Sequence, residues 1–163
     1  MANSVRTCLV FKDRAEEAVK LYVSVFPNSR IVEMTRVESD GGPIPKGKLL
    51  NATFELDGRE FRAFDGGEDF AFNQAMSMDV VCKSQEEVDR YWSKLTSGGG
   101  QEVACGWLTD RFGVSWQIIP EQLGRMLADS KSGDAEACMN AMLNMKKLDI
   151  AELERAYRGS RVG

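Results

Sequence analysis

Apolar residues change their spacing along this chain, and each change marks an element. Residues 5–11 (VRTCLVF) are few and rich in β-formers, which predicts a strand. The spacing then lengthens. Ala15, Ala18, Val19, Tyr22, Val25 and Phe26 recur every three or four residues, which predicts a helix over 14–26 with one buried face. Asp13 is placed to cap it, and Glu16 and Glu17 fall in its first turn, where the helix dipole favours carboxylates. Pro27-Asn28-Ser29 ends it. Strands are expected over 30–37 and 49–56, separated by a glycine- and proline-containing loop over 39–47. Asp57-Gly58 signals a two-residue hairpin into a further strand over 60–64.

The order then begins again. Residues 76–82 read as a strand, and Ser84 with Glu87 three residues on forms a capping box for a helix over 85–95. The run Ser97-Gly98-Gly99-Gly100 stops that helix, and a weak strand follows over 101–104. Residues 105–120 (CGWLTDRFGVSWQIIP) then form a hairpin. Its turn is Asp110-Arg111-Phe112-Gly113, with Asp first and Gly fourth as in a type I turn, and Pro120 stops its second strand. A shift of seventy positions lays Glu16-Glu17 on Glu86-Glu87, Ala18 on Val88, Tyr22 on Trp92, Val25 on Leu95, and Val10-Phe11 on Val80-Val81. The chain therefore repeats a strand–helix–three-strand unit. We divide it into a first module over 1–65, a connector over 66–75, a second module over 76–120 and a helical tail over 121–163, all within one compact domain.

The tail breaks the repeat. One helix is expected over 121–129, a second capped by Asp134, and a third capped by Asp149 with Glu152 at its third position. Ala135, Cys138, Met139, Met142, Leu143 and Met145 give the second a methionine-rich apolar face, expected to pack on the protein itself or on a second copy.

Composition narrows the chemistry. The chain has 163 residues, a net charge of -4 and no basic stripe, so nucleic acid is not an expected partner. No apolar run approaches the roughly 20 residues of a membrane helix. The start, MANSVRTCLVF, lacks the charged and apolar regions of a secretion signal, so a cytoplasmic protein is expected. Four scattered cysteines without a CxxC pair read as reduced thiols. There is no histidine. That removes Ser-His-Asp and Cys-His catalysis and every metal site built on imidazole.

Several residues remain as candidates. Cys105, before Gly106 at a strand entrance, is a candidate nucleophile if Arg111 lowers its pKa. Trp107 and Trp116 offer rings for a flat ligand or for core packing. Strand alternation puts Ser115, Gln117 and Ile119 on one face and Trp116 and Ile118 on the other. Asp65, Glu68 and Asp69 form an acidic group in what reads as a solvated connector. Gln74, Arg62 and Glu60 are further polar candidates.

Some of these motifs resemble a known family. Cys8-Leu9-Val10-Phe11 with Arg14-Ala15-Glu16-Glu17-Ala18 and Val25-Phe26-Pro27-Asn28-Ser29, then Gln85-Glu86-Glu87-Val88-Asp89-Arg90-Tyr91-Trp92 and the hairpin 105–120, resemble the PhnB-like branch of the vicinal oxygen chelate (glyoxalase/bleomycin-resistance) superfamily. The tail stretch Ala141-Met142-Leu143 with Met145-Lys146-Lys147-Leu148-Asp149-Ile150 is similar to it as well. The resemblance implies an α+β fold: two βαβββ modules form cupped mixed β-sheets, here with a C-terminal helical extension, in a homodimer. Members of this branch often carry the label 3-demethylubiquinone-9 3-methyltransferase. The resemblance also implies a cup lined from the first strand by Arg6, Thr7 and Cys8 and from the fifth by Ser77, Met78 and Asp79. Gln117 stands at the position of the superfamily's metal-binding glutamate. An amide is a far weaker ligand than a carboxylate for a divalent ion, so no metal is expected. A Rossmann-type methyltransferase needs a glycine-rich turn after its first strand, and Phe11-Lys12-Asp13-Arg14 has no glycine. No cofactor is therefore assigned. The expected ligand-binding set is Arg6, Cys8, Trp107, Arg111, Ser115 and Gln117, holding a small hydrophobic or aromatic molecule without a metal. The alternatives are an enzyme using Cys105 and Gln117, and a dimeric structural or interaction protein acting through its tail.

Overall fold

The structure, a computed structural model, describes residues 5–42, 44–68 and 70–159. The chain divides into two compact units, the first ending at Ala71 and the second beginning at Phe72. The first holds β1 (Thr7–Phe11), α1 (Ala15–Val25), β2 (Arg30–Arg36), β3 (Leu49–Leu56) and β4 (Arg59–Asp65). Its strand order is β1-β4-β3-β2, with β1 parallel to β4 and the other pairs antiparallel. The second holds β5 (Met78–Cys82), α2 (Gln85–Thr96), β6 (Gln101–Glu102), β7 (Trp107–Thr109) and β8 (Ser115–Pro120), ordered β5-β8-β7-β6 with the same parallel and antiparallel pairs. The expected βαβββ repeat is present. The seventy-residue shift holds for the first strand and helix of each unit only. Asp65 and Pro120, which pair with the last residues of β1 and β5, are fifty-five apart. The second unit is shorter because β6 and β7 span 2 and 3 residues, against 7 and 8 for β2 and β3.

Each sheet buries one face under its helix. In the first unit α1 turns Ala15, Ala18, Val19, Tyr22 and Val25 inward, and Leu9, Phe11, Ala52, Phe54 and Ala63 face it from the strands. Tyr22 is fully buried, and truncating so large a side chain costs about 3–5 kcal/mol. Asp57 and Gly58, at φ 47° and 74°, make the expected hairpin turn between β3 and β4.

The cap of α1 differs from expectation. Arg14, not Asp13, stands at the N-cap, without a side-chain cap bond. The Ala15 N–H instead donates to Asp65 Oδ1 at 2.8 Å, and the Leu49 N–H donates to Asp65 Oδ2 at 3.2 Å. Asp65 is 3 % exposed and ends β4, so it is no part of a solvated acidic connector. Glu68 is exposed, and Asp69 lies outside the described residues. Where the first unit has Asp65, the second has Pro120, and Ser84 caps α2 by accepting from Glu87 N at 3.3 Å.

The tail forms α3 (Glu121–Ala128), α4 (Ala135–Leu143) and α5 (Ile150–Arg158) within the second unit. Asp134 and Asp149 cap α4 and α5 as expected, each accepting a backbone N–H at 2.8 Å. Leu123, Met126, Cys138, Leu148 and Leu153 form a small core with Met142, Met145 and Ile119 of β8 packed on it. Part of the methionine-rich face is therefore internal, while Met139 and Leu143 of α4 stay exposed. Gly133 lets the chain pass against Tyr157: a Cβ there would lie 2.5 Å from the ring.

Candidate functional site

Alternation along β5 and β8 sorts the second unit's side chains. Trp116, Ile118 and Pro120 of β8 and Cys82 of β5 are buried towards α2. Ser77, Asp79 and Val81, with Ser115, Gln117 and Ile119, take the face without the helix. Gln117 sits mid-row there, in register with Asp79 of β5 and with Trp107 of β7. Its Nε2 donates to Ser77 Oγ at 2.8 Å. Trp107 is half-buried, Asp79 is exposed, and Ser115 is buried and in register with Thr109.

Trp116 lies behind the sheet, 2 % exposed, and donates its indole N–H to Asp110 Oδ2 at 2.9 Å. Asp110 Oδ1 accepts from Phe112 N at 2.8 Å and Val114 N at 3.1 Å, and Gly113 N closes the turn on Asp110 O at 3.0 Å. Asp110 is thus a pin for the turn rather than a surface charge. Arg111 lies on that turn, its guanidinium 5.0 Å from the Phe112 ring, and a Cβ at Gly98 would come within 2.9 Å of its Nη1. The side chain runs towards the α2–β6 loop.

Cys105 has φ 59° and is half-buried. Its N–H donates to Met145 O at 2.8 Å, and the Gly106 N–H donates to Lys146 O at 2.8 Å. Gly106, at φ 82°, leaves no room for a side chain, since a Cβ would sit 2.9 Å from Ile118 O. The tail thus clasps the entrance of β7. Gln85 clasps it again at the start of α2: its Nε2 donates to Leu148 O at 3.1 Å and its Oε1 accepts from Ile150 N at 2.9 Å. Lys147 pairs with Asp89 at 2.5 Å beside it.

The first unit's helix-free face is a set of charge pairs. Cys8 and Arg6 are exposed, and Arg6 pairs with Glu60. Arg62 donates to Asn51 Oδ1 through Nε at 2.9 Å, and Arg30 makes two bonds of 2.8 Å to the Glu55 carboxylate. Gln74 belongs to no strand and is exposed. Trp107, Ser115 and Gln117 therefore share one sheet face in the second unit, whereas Cys8 lies on β1 of the first and Arg6 just before it. Ser77 and Asp79 join Gln117 through the parallel β5–β8 register, which strand alternation alone does not reveal.

The family model described as 3-demethylubiquinone-9 3-methyltransferase matches residues 3–119. The chain belongs to this PhnB-like family. A PhnB protein from Bacillus cereus, described by the same activity, is 36% identical, with a TM-score of 0.68 over 72% of this chain and 99% of its own. FosX from Mesorhizobium loti, a fosfomycin resistance protein, is 16% identical with a TM-score of 0.55, covering 79% of this chain and 99% of its own. Its likeness shows the glyoxalase/bleomycin-resistance fold. So does that of FosX from Listeria monocytogenes, solved with Mn(II) and sulfate, at 16% identity and TM-score 0.52 over 72% of this chain and 91% of its own. No curated protein sequence matches the chain. The family match stops before the tail, so it is narrower than the likeness read from the tail's sequence.

The donor set of this PhnB-like chain does not fit a divalent metal. It has no histidine, and no group of three His, Cys, Asp or Glu side chains comes together among the described residues. Gln117 offers a neutral amide already bonded to Ser77, and Glu60 and Glu55 are held by Arg6 and Arg30. An S-adenosylmethionine fold does not fit either. Only one helix lies among the strands of each sheet, and Lys12, Asp13 and Arg14 between β1 and α1 include no glycine. The buried thiols are poor nucleophiles: burial pushes Cys82 up to about 12 and raises Cys138.

Proposed function

We propose that this PhnB-like protein binds a small, largely apolar or aromatic molecule, without a metal, on the helix-free face of β5, β8 and β7. One observation carries the reading: Gln117, held by Ser77, lies in register with Trp107 on a face that also presents the exposed Val81. A polar group fixed among apolar and aromatic surface is the usual make-up of a small-molecule site. The family description names a methyl transfer, and the residues here supply no step for it.

The test is a thermal-shift screen of metabolites on EDTA-dialysed protein, followed by calorimetry on Trp107→Ala and Gln117→Leu. Binding should survive metal removal, and each variant should weaken it about tenfold or more. Ligands that bind both variants as they bind the wild type would overturn the assignment. A stoichiometric divalent ion in the purified protein would overturn its metal-free part. Four free thiols support a reducing, cytoplasmic setting, and the family resemblance supports a homodimer, which light scattering would separate from a monomer of 18.1 kDa.

A further inference from the structure

We infer that the ligand of this face is an amine, bound as its ammonium ion and carried on an aromatic or apolar body; the inference rests on the small-molecule reading above. Asp79, Gln117 and Trp107 stand in one row across β5, β8 and β7. Strands lie about 4.8 Å apart, so the row spans roughly 10 Å from the Asp79 backbone to that of Trp107. Gln117 spends an N–H on Ser77 Oγ, which leaves its carbonyl oxygen as an acceptor on the residue in register with Asp79. Asp79 is exposed, and the ion pairs among the described residues do not include it. Ser77, Val81, Thr109, Ser115 and Ile119, which surround the row on the same face, include no lysine or arginine. The first unit's face is different: Glu60 and Glu55 are each neutralised by an arginine.

An anionic ligand would meet the Asp79 carboxylate uncompensated, and a neutral one would leave it unused. An ammonium group donates to both Asp79 and the Gln117 carbonyl oxygen, through charge-assisted bonds stronger than neutral ones. Trp107, at the other end of the row, offers a half-buried indole on which the ligand's ring can stack. An arm of two or three atoms between nitrogen and ring matches the row.

Calorimetry on the full chain with tryptamine, tryptophol and indole-3-propionate tests this, because the three share a ring and differ in charge. Tryptamine should bind about tenfold tighter than indole-3-propionate. Asp79→Asn, an exposed substitution expected to leave the melting temperature unchanged, should bring the two within about twofold. Equal binding of the three, a preference for the anion, or a cation preference that survives Asp79→Asn would overturn the ammonium assignment. So would a metabolite screen whose hits are all neutral or anionic. A screen with no ligand of any charge would instead bring down the underlying small-molecule reading, and this inference with it.

Discussion

Replacing Asp110 with alanine should strongly destabilise the β7–β8 turn. The carboxylate accepts three N–H groups, from Phe112, Val114 and the Trp116 indole, at 2.8, 3.1 and 2.9 Å. Asp110 and Trp116 are 3 % and 2 % exposed, so water does not readily replace the lost acceptor. A buried donor left without a partner costs about 1–3 kcal/mol. The Val114 and Trp116 donors are buried and the Phe112 N–H is partly so, which gives a total of about 3–5 kcal/mol. At about 2–4 °C per kcal/mol for a chain of this size, the melting temperature should fall by roughly 6–20 °C. Asp110→Asn keeps one carbonyl oxygen for the backbone amides but turns an N–H towards the indole, and should cost about 2 kcal/mol. Urea unfolding followed by circular dichroism measures each variant. A double-mutant cycle with Trp116→Phe should return a coupling of about 1–2 kcal/mol. A loss below about 1 kcal/mol for Asp110→Ala, or strict additivity in the cycle, would refute the reasoning.

Gln85→Ala removes both side-chain bonds to the tail and should destabilise by about 1–2 kcal/mol, with faster amide exchange centred on Ile150; unchanged exchange there would show that the clasp is idle. Gly106→Ala forces a Cβ against Ile118 O at a left-handed φ and should cost about 2–3 kcal/mol by urea unfolding, with wild-type stability arguing against the close approach. With a thiol reagent at pH 8, exposed Cys8 should react in the native protein, while Cys82, pushed up to about 12 by burial, and buried Cys138 should react only on unfolding. Glu16 is held below the usual carboxylate range by hydrogen bonds from Lys20 and Arg36. Its folded pKa is lowered, so its stabilisation is present above the unfolded value near 4.5 and is lost as pH falls through the folded one. The melting-temperature gap between wild type and Glu16→Gln should therefore be open at pH 7 and close in acid; a gap that widens in acid would reverse the assignment.

The elements were legible because their patterns are local. The three- and four-residue spacing of α1, the Ser84, Asp134 and Asp149 caps and the Asp57-Gly58 turn each lie within a few residues of what they determine. Asp65 was not legible, since the helix it caps begins 50 residues earlier in the chain. Alternation along β8 correctly put Gln117 and Trp116 on opposite faces, but the neighbours of Gln117 depend on which strands pair and in what register. The family resemblance already put Asp79 in the cup, but its place beside Gln117 became visible only once β5 was seen next to β8. The tail's contact with Cys105 and Gly106 is likewise a meeting of distant segments that no periodicity announces.

The clasp at Gln85 and at Cys105-Gly106 has a consequence for synthesis on the ribosome. The first unit receives its closing residue early: once Asp65 has emerged, both α1 and β3 have the acceptor they need. The second unit cannot be finished on that schedule. Its hairpin is complete at Pro120, yet the backbone groups that hold Cys105, Gly106 and Gln85 arrive only between Met145 and Ile150. Until then the N–H groups of Cys105 and Gly106 and the apolar side of Ile119 wait uncovered in the nascent chain. Folding that runs from the N-terminus thus makes the second unit the later and more vulnerable half, and a ribosome stalled between these two points would display an unclasped hairpin to chaperones and proteases.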